Sequence, residues 1–131
     1  MPLRHLNPDT LHAYPASSQG VLIEGTGALL VVGGQNGVDA TGEVVSDDFG
    51  AQSAQALRNV LAVLADAGAS QADVAKLTIY MTAGSDIQKG YAAAQEVWGQ
   101  HATAITVVQV AGFARPDVLV EIEALAQVPG K

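Results

Sequence analysis

Residues 105–126 read ITVVQVAGFARPDVLVEIEALA, and this stretch decides the fold. Ile105 to Val110 is β-branched and apolar except for Thr106 and Gln109. Val118 to Ala126 alternates in polarity. Gly112, Arg115, Pro116 and Asp117 break the chain between them, so two strands joined by a loop are predicted. Successive strand side chains point to opposite faces. Val118, Val120, Ile122, Ala124 and Ala126 therefore form one apolar face, suited to a core. Leu119, Glu121, Glu123 and Leu125 form the other. If Ile105, Val107 and Gln109 of the neighbouring strand join the Glu121 face, the sheet has a mostly apolar second side holding two carboxylates. Helices normally cover one sheet face in a chain of this length, so a half-apolar second face predicts burial against another copy.

Upstream, Leu3 to Leu6 suits a short first strand, and Asn7 to Gln19 reads as a loop. Val21 to Glu24 and Ala28 to Val32 read as a hairpin around Gly25-Thr26-Gly27. Gly33-Gly34-Gln35-Asn36-Gly37 ends its second strand. Asp39 to Glu43 is a turn, with a short edge segment at Glu43 to Val45. Ser46 is the expected N-cap of a helix reaching Ala67, with Asp47 and Asp48 in its first turn. Ala54, Leu57, Leu61 and Leu64 make its apolar stripe, and Gly68 ends it. Lys76 to Met81 is a strand. Ser85-Asp86-Ile87-Gln88 has capping-box spacing and opens a second helix, on which Ile87, Tyr91, Ala94 and Trp98 share a face. The order of elements predicts an α+β domain over residues 1–131, a mixed sheet with two helices on one face.

Composition narrows the function. The 131 residues carry a formal charge of −7, and the six basic residues are scattered singly. No basic patch exists to neutralise phosphates, which argues against a nucleic-acid partner. Cysteine is absent, so thiolate and disulfide chemistry are excluded; this fits a cytoplasmic protein. MPLRHLNP has no apolar run of signal-peptide length, and no stretch approaches the roughly 20 apolar residues of a membrane helix. No membrane partner is expected.

Among groups that carry chemistry, Glu121 and Glu123 stand on one face, two residues apart. A half-buried carboxylate can hold or move a proton; the pair equally suits a wet interface or partners among Lys and Arg. Gly33 and Gly34 end a strand, where glycine lets a ligand approach the backbone or makes room for a crowded turn. Gly25-Thr26-Gly27 does not open a helix and is no dinucleotide fingerprint. His5, His12 and His101 lack metal-ligand spacing, so no metal is expected. Ser17 and Ser18 lack a nucleophile elbow. Tyr91 and Trp98 fit a core face as well as a ligand stack.

Several of these pieces together resemble the RidA/YjgF family of reactive-intermediate deaminases. Val120 to Ala126, VEIEALA, is similar to the family's closing strand. Val31-Val32-Gly33-Gly34-Gln35 resembles its "VSGQ" strand end, and Asp39 to Glu43 its "TGE" turn. Gln52, Gln55, Ala56, Leu57, Asn59, Ala67 and Gly68 resemble its first helix. Asp73 to Thr78 resembles its "DVVKTT" strand start. The pieces span nearly the whole chain in the family's order.

The resemblance implies a chorismate-mutase-like fold and a homotrimer, with sheets packed inward and small-molecule ligand sites at the subunit interfaces. It implies hydrolysis of reactive imines and enamines to a keto acid and ammonia, with no cofactor. Glu121 matches the carboxylate that holds the water, and Gly34 the backbone that contacts the substrate. Other positions depart. The carboxylate-clamping Arg falls on Ile105, the Cys after it on Val107, the loop Tyr on Ser17 and the second-helix Asn on Tyr91. The Ser before the "GQ" glycine falls on Gly33, while Ser18 and Gln19 match. A carboxylate in an apolar pocket without its charged partner is strongly disfavoured. A substrate less acidic than the usual imino acids is therefore expected. Arg115 is placed to reach in from its own or a neighbouring subunit, or to stay solvated on its loop. A non-catalytic trimer that binds a small metabolite and regulates a partner is the alternative. Ribonuclease or translation-inhibitor activity, also attached to this family, fits the acidic charge poorly.

Overall fold

The strand predicted at the end of the chain is the centre of the sheet. The computed structural model describes residues 3–130. Its strands are β1 (Leu3–Leu6), β2 (Gly20–Ile23), β3 (Gly27–Asn36), β4 (Val74–Thr82), β5 (Ala104–Val110) and β6 (Val120–Pro129). Its helices are α1 (Phe49–Asp66) and α2 (Ile87–Val97). The four-stranded sheet has the order β3-β6-β4-β5. β6 is antiparallel to both β3 and β4, and β4 is parallel to β5. A parallel pair needs a crossover, which α2 supplies. This is an α+β fold with a mixed sheet.

β6 carries the face pattern expected of it. Val118, Val120, Ile122, Ala124 and Ala126 are buried. Val120, Ile122, Ala124 and Ala126 pack with Val60, Leu64 and Leu57 of α1 in one apolar core. Leu119, Glu121 and Glu123 are half-buried and Leu125 is exposed.

Two expected strand pairings are corrected. β2 does not form a hairpin with β3. It pairs with β1 in a separate two-stranded sheet, while β3 pairs with β6. β5 is not beside β6 either, because β4 lies between them. The faces change accordingly. Ile105, Val107 and Gln109 align with Leu77, Ile79 and Met81 of β4. Those align with Ala124, Ile122 and Val120 on the helix-covered face of β6. Directly paired residues share a face, so Ile105 and Val107 lie opposite to Glu121, not beside it. The Glu121 face holds Thr78, Tyr80, Thr106 and Val108 instead. It is mixed rather than mostly apolar, with Leu29, Val31, Val108 and Leu125 exposed among polar neighbours.

The helix caps also move by two residues and one residue. Asp48, not Ser46, caps α1: its carboxylate accepts from Ala51 N at 2.9 Å, while Ser46 Oγ accepts from Asp48 N. Asp86, not Ser85, caps α2 and accepts from Gln88 N at 3.0 Å. Asp48 also pairs with Lys89 of α2 at 3.2 Å. The Ala51 amide, followed by Lys89, holds its carboxyl below the usual range. One carboxylate thus starts α1 and tethers α2 to it. Gly68, at φ +80°, ends α1 as expected, and Ala69 N donates to Leu64 O at 2.8 Å. Among the described residues no helix is long and apolar enough to cross a membrane.

Candidate functional site

α2 stands off the sheet far enough to leave a cavity of about 450 Å³ beneath it. β4 and β5 form the floor through Ile79, Met81, Ile105 and Val107. α1 supplies Phe49, Ser53 and Leu57, and α2 supplies Ile87, Tyr91 and Ala94, with Trp98 at its C-terminal cap. Gly90 lets the helices approach, since a Cβ there would stand 3.0 Å from the Phe49 ring. Ser17 and Tyr14 close one side from the loop before β2.

That loop is tied down by the residues next to Ser17. Ser18 Oγ donates to Ala102 O and lies 2.9 Å from His5 Nδ1. Ser18 N donates to Thr103 O. Gln19 N donates to Asn7 Oδ1, and its side-chain amide to His12 O. The Ser18-Gln19 pair therefore anchors the loop between β1 and the approach to β5. Four of the sequence-derived site residues, Ser17, Tyr91, Ile105 and Val107, are brought together around this cavity. No Asp, Glu, Lys, Arg or His lines it among the described residues.

Glu121 and Gly34 form a second group on the other face of the sheet. Residues 33 and 34 interrupt the β3–β6 register between Val32 and Gln35. The irregularity brings Gly34 against the Glu121 side chain, where a Cβ would stand 2.7 Å from its carboxyl carbon. Asn36 Nδ2 donates to Glu121 Oε1 at 3.1 Å and to Val120 O at 3.1 Å. Asn36 O in turn accepts from Asn59 Nδ2 of α1, whose amide oxygen accepts from Gln55. A chain of amides thus runs from α1 to the Glu121 carboxylate. Glu123 is engaged separately and accepts from Tyr80 Oη at 2.6 Å. That bond, then burial and the two nearby carboxylates, raise the Tyr80 phenol above its ordinary value.

Arg115 belongs to neither group. Its guanidinium donates to Gly42 O at 2.7 Å and pairs with Asp117 at 3.3 Å, clasping the turn at Asp39 to Glu43. Among the described residues no group of three or more acidic or imidazole side chains is placed to hold a metal.

Sequence reasoning passed over Asn36, which orients Glu121, and Ser53 in the cavity wall. Asn36 had a signal: it is a polar residue two places beyond the Gly33-Gly34 pair, which does not end β3 as expected but interrupts its register, so that the strand runs on to Asn36. Ser53 had none, since one serine on a helix face looks the same whether it meets core or cavity.

The family model described as Endoribonuclease L-PSP matches residues 7–128. A RutC family protein of Pyrococcus abyssi is 37% identical over 101 residues, covering 76% of this chain and 79% of that protein. A 2-iminobutanoate/2-iminopropanoate deaminase of Salmonella typhimurium is 34% identical over 103 residues, covering 76% and 80%. A solved structure from Yersinia pestis, described as a protein of unknown function of the conserved Rid family, superposes with a TM-score of 0.86 at 32% identity. It covers 97% of this chain and 99% of its own.

Proposed function

The chain belongs to the RidA/YjgF family, whose model is described as Endoribonuclease L-PSP, and on that footing we propose that it is a single-domain, cytoplasmic homotrimer hydrolysing a neutral imine or enamine. The sheets pack inward on their Glu121 faces. Each site forms where Glu121 of one copy meets the β5 edge and cavity mouth of the next, so ligand binds at the subunit interface. One observation carries this reading. The candidate residues divide into two groups on opposite faces of one sheet, and neither is a complete site. The cavity group has apolar walls and no proton carrier. The Glu121 group has a proton carrier and no cavity of substrate size.

In the reaction, Glu121 accepts a proton from water as the water oxygen bonds to the imine carbon. The proton passes to the nitrogen, giving a carbinolamine; Glu121 then carries the carbinol hydroxyl proton to the same nitrogen as the C–N bond breaks, so ammonia leaves and a ketone remains. Backbone N–H groups near Gly34 and Val107 orient the substrate. Asn36 fixes the Glu121 carboxylate. No cofactor takes part. Ile105 makes carboxylate-bearing imino acids poor substrates, because nothing at that wall repays the loss of their hydration.

The uncharged cavity also favours a second reading, a trimer that binds a small metabolite without turning it over and regulates a partner. Ribonuclease activity is disfavoured by the −7 charge. The test compares hydrolysis of freshly generated acetophenone imine and 2-iminopropanoate against a buffer blank, in wild type and Glu121→Gln. Acceleration of the neutral imine alone, lost in the variant, supports the enzyme. Binding without acceleration supports the second reading.

A further inference from the structure

The cavity has one wall that neither the four-stranded sheet nor the helices provide. Tyr14, Ala16 and Ser17 form it, from the loop before β2. Tyr14 and Ser17 bridge to each other across a tight turn, so residues 14–17 behave as one lip. Both flanks of the lip are tied. Gln19 Nε2 donates to His12 O at 2.6 Å. Ser18 N donates at 3.1 Å to the carbonyl of Thr103, which stands just ahead of Ile105 in the cavity floor. The seating of the lip on the approach to β5 therefore turns on Ser18, which is 6% exposed.

The bonds of Ser18 dictate the state of His5. Ser18 Oγ touches both Ala102 O and His5 Nδ1, the latter at 2.9 Å. A carbonyl oxygen only accepts, so the single hydroxyl proton goes to Ala102. The hydroxyl oxygen is left to accept from His5, and Nδ1 must carry a proton. A ring protonated on Nε2 alone would instead present a lone pair and compete with Ala102 for that one proton.

We propose that His5 is a positioning residue for the cavity: its Nδ1–H, donated to Ser18 Oγ, fixes the hydroxyl on Ala102 O and with it the Tyr14–Ser17 lip. The inference deepens the reading above by naming a residue that shapes the same site. His5 lies outside the cavity wall, so it acts on binding and takes no part in the chemistry. Its own place is set by β1, where it pairs with Val21 of β2. A hydroxyl that receives a hydrogen bond is polarised into a stronger donor, so the His5 and Ala102 bonds support each other. The Nδ1 bond persists whether or not Nε2 is also protonated.

The test joins imidazole nitrogen spectra, amide exchange and ligand titration of the full-length protein. In the neutral ring, His5 is expected to carry its proton on Nδ1, its signals being assigned by their loss in His5→Asn. His5→Leu keeps a similar shape and removes the donor. The Ser18 amide, protected through Thr103 O, should then exchange roughly two- to tenfold faster, while the amides of α1 keep their protection. Acetophenone, the neutral probe, should bind more weakly by about twofold or more. His5→Asn places an amide donor on the same Cγ and should restore both. In a Ser18→Ala background, His5→Leu should add nothing further.

A neutral His5 protonated on Nε2 overturns the proposal. So does His5→Asn behaving as His5→Leu does, or exchange that quickens equally in α1. Acetophenone that binds wild type and His5→Leu alike, or binds neither, overturns it too. The expected spectra, exchange and titration in a protein that does not hydrolyse acetophenone imine support this inference and remove the catalytic reading alone.

Discussion

Gly34 stands where any side chain would strike the Glu121 carboxylate: the contact would be 2.7 Å to both the carboxyl carbon and Oε2. The three nearest atoms all belong to the Glu121 side chain, whose far end can move. Gly34→Ala is therefore expected to fold and to displace the carboxylate. Misplacing a reacting group by about an ångström costs roughly a hundredfold in rate. Turnover should fall by about that factor, while the melting temperature moves by a few degrees at most. Steady-state kinetics beside a thermal melt separates the two effects. Asn36→Ala, which frees Glu121 Oε1 from its donor, should lower turnover in the same direction.

Gly37 looks similar in the sequence and differs in consequence. A Cβ there would stand 2.6 Å from the Cα and carbonyl oxygen of Gln52, in the first turns of α1. Helix backbone does not swing aside. Gly37→Ala should destabilise the fold by about 1–3 kcal/mol or more. Gln52 is itself fully buried, donating to Ser46 O and Asp117 O and accepting from Leu119 N. Gln52→Leu leaves these backbone groups unpaired, at about 1–3 kcal/mol for each one buried. Denaturant unfolding of both variants checks the order of magnitude.

Ile105 forms the cavity floor on β5. Ile105→Arg should convert that wall to a carboxylate clamp, since a guanidinium binds a carboxylate through two parallel hydrogen bonds. The KM for 2-iminopropanoate is expected to fall roughly tenfold or more, and affinity for neutral imines to drop. Unchanged selectivity would show that position 105 does not meet the substrate.

The Tyr80 phenol, raised above 10 chiefly by its hydrogen bond to Glu123, links stability to alkaline pH. The folded state holds this proton more tightly than the unfolded state. Its contribution is fully present below pH 10 and is lost as pH rises through the raised value. The stability difference between wild type and Tyr80→Phe should shrink above pH 10 and stay constant from pH 6 to 9. Urea midpoints across that range measure it.

Different parts of the fold were legible to different degrees, for physical reasons. β6 could be read residue by residue because one of its faces is solidly apolar and the other is not. β5 could be recognised as a strand but not oriented. Both of its faces carry valine or isoleucine, so its facing depends on the register across β4, which no local pattern encodes. The β2–β3 hairpin failed because the Gly25-Thr26-Gly27 turn is compatible with a change of sheet as well as with pairing. Ser46 and Ser85 are good capping residues that lost to Asp48 and Asp86 close by, whose carboxylates accept from the first-turn amides. Ser17, Tyr91, Ile105 and Val107 were found by resemblance and do share a cavity. Their separation from Glu121 and Gly34 was not legible, because it follows from the facing of β5.

That separation is the centre of the functional account, and mixing two inactive variants tests it most directly. Glu121→Gln removes the proton carrier, and Val107→Asp puts a charge into the cavity floor. Each alone should be inactive on acetophenone imine. Unfolded together in equal amounts and refolded, they should form mixed trimers in which about a quarter of the interfaces receive an intact half from each side. The account predicts recovery of about that fraction of wild-type activity. No recovery, with mixed trimers demonstrated by mass, would contradict a site shared between copies.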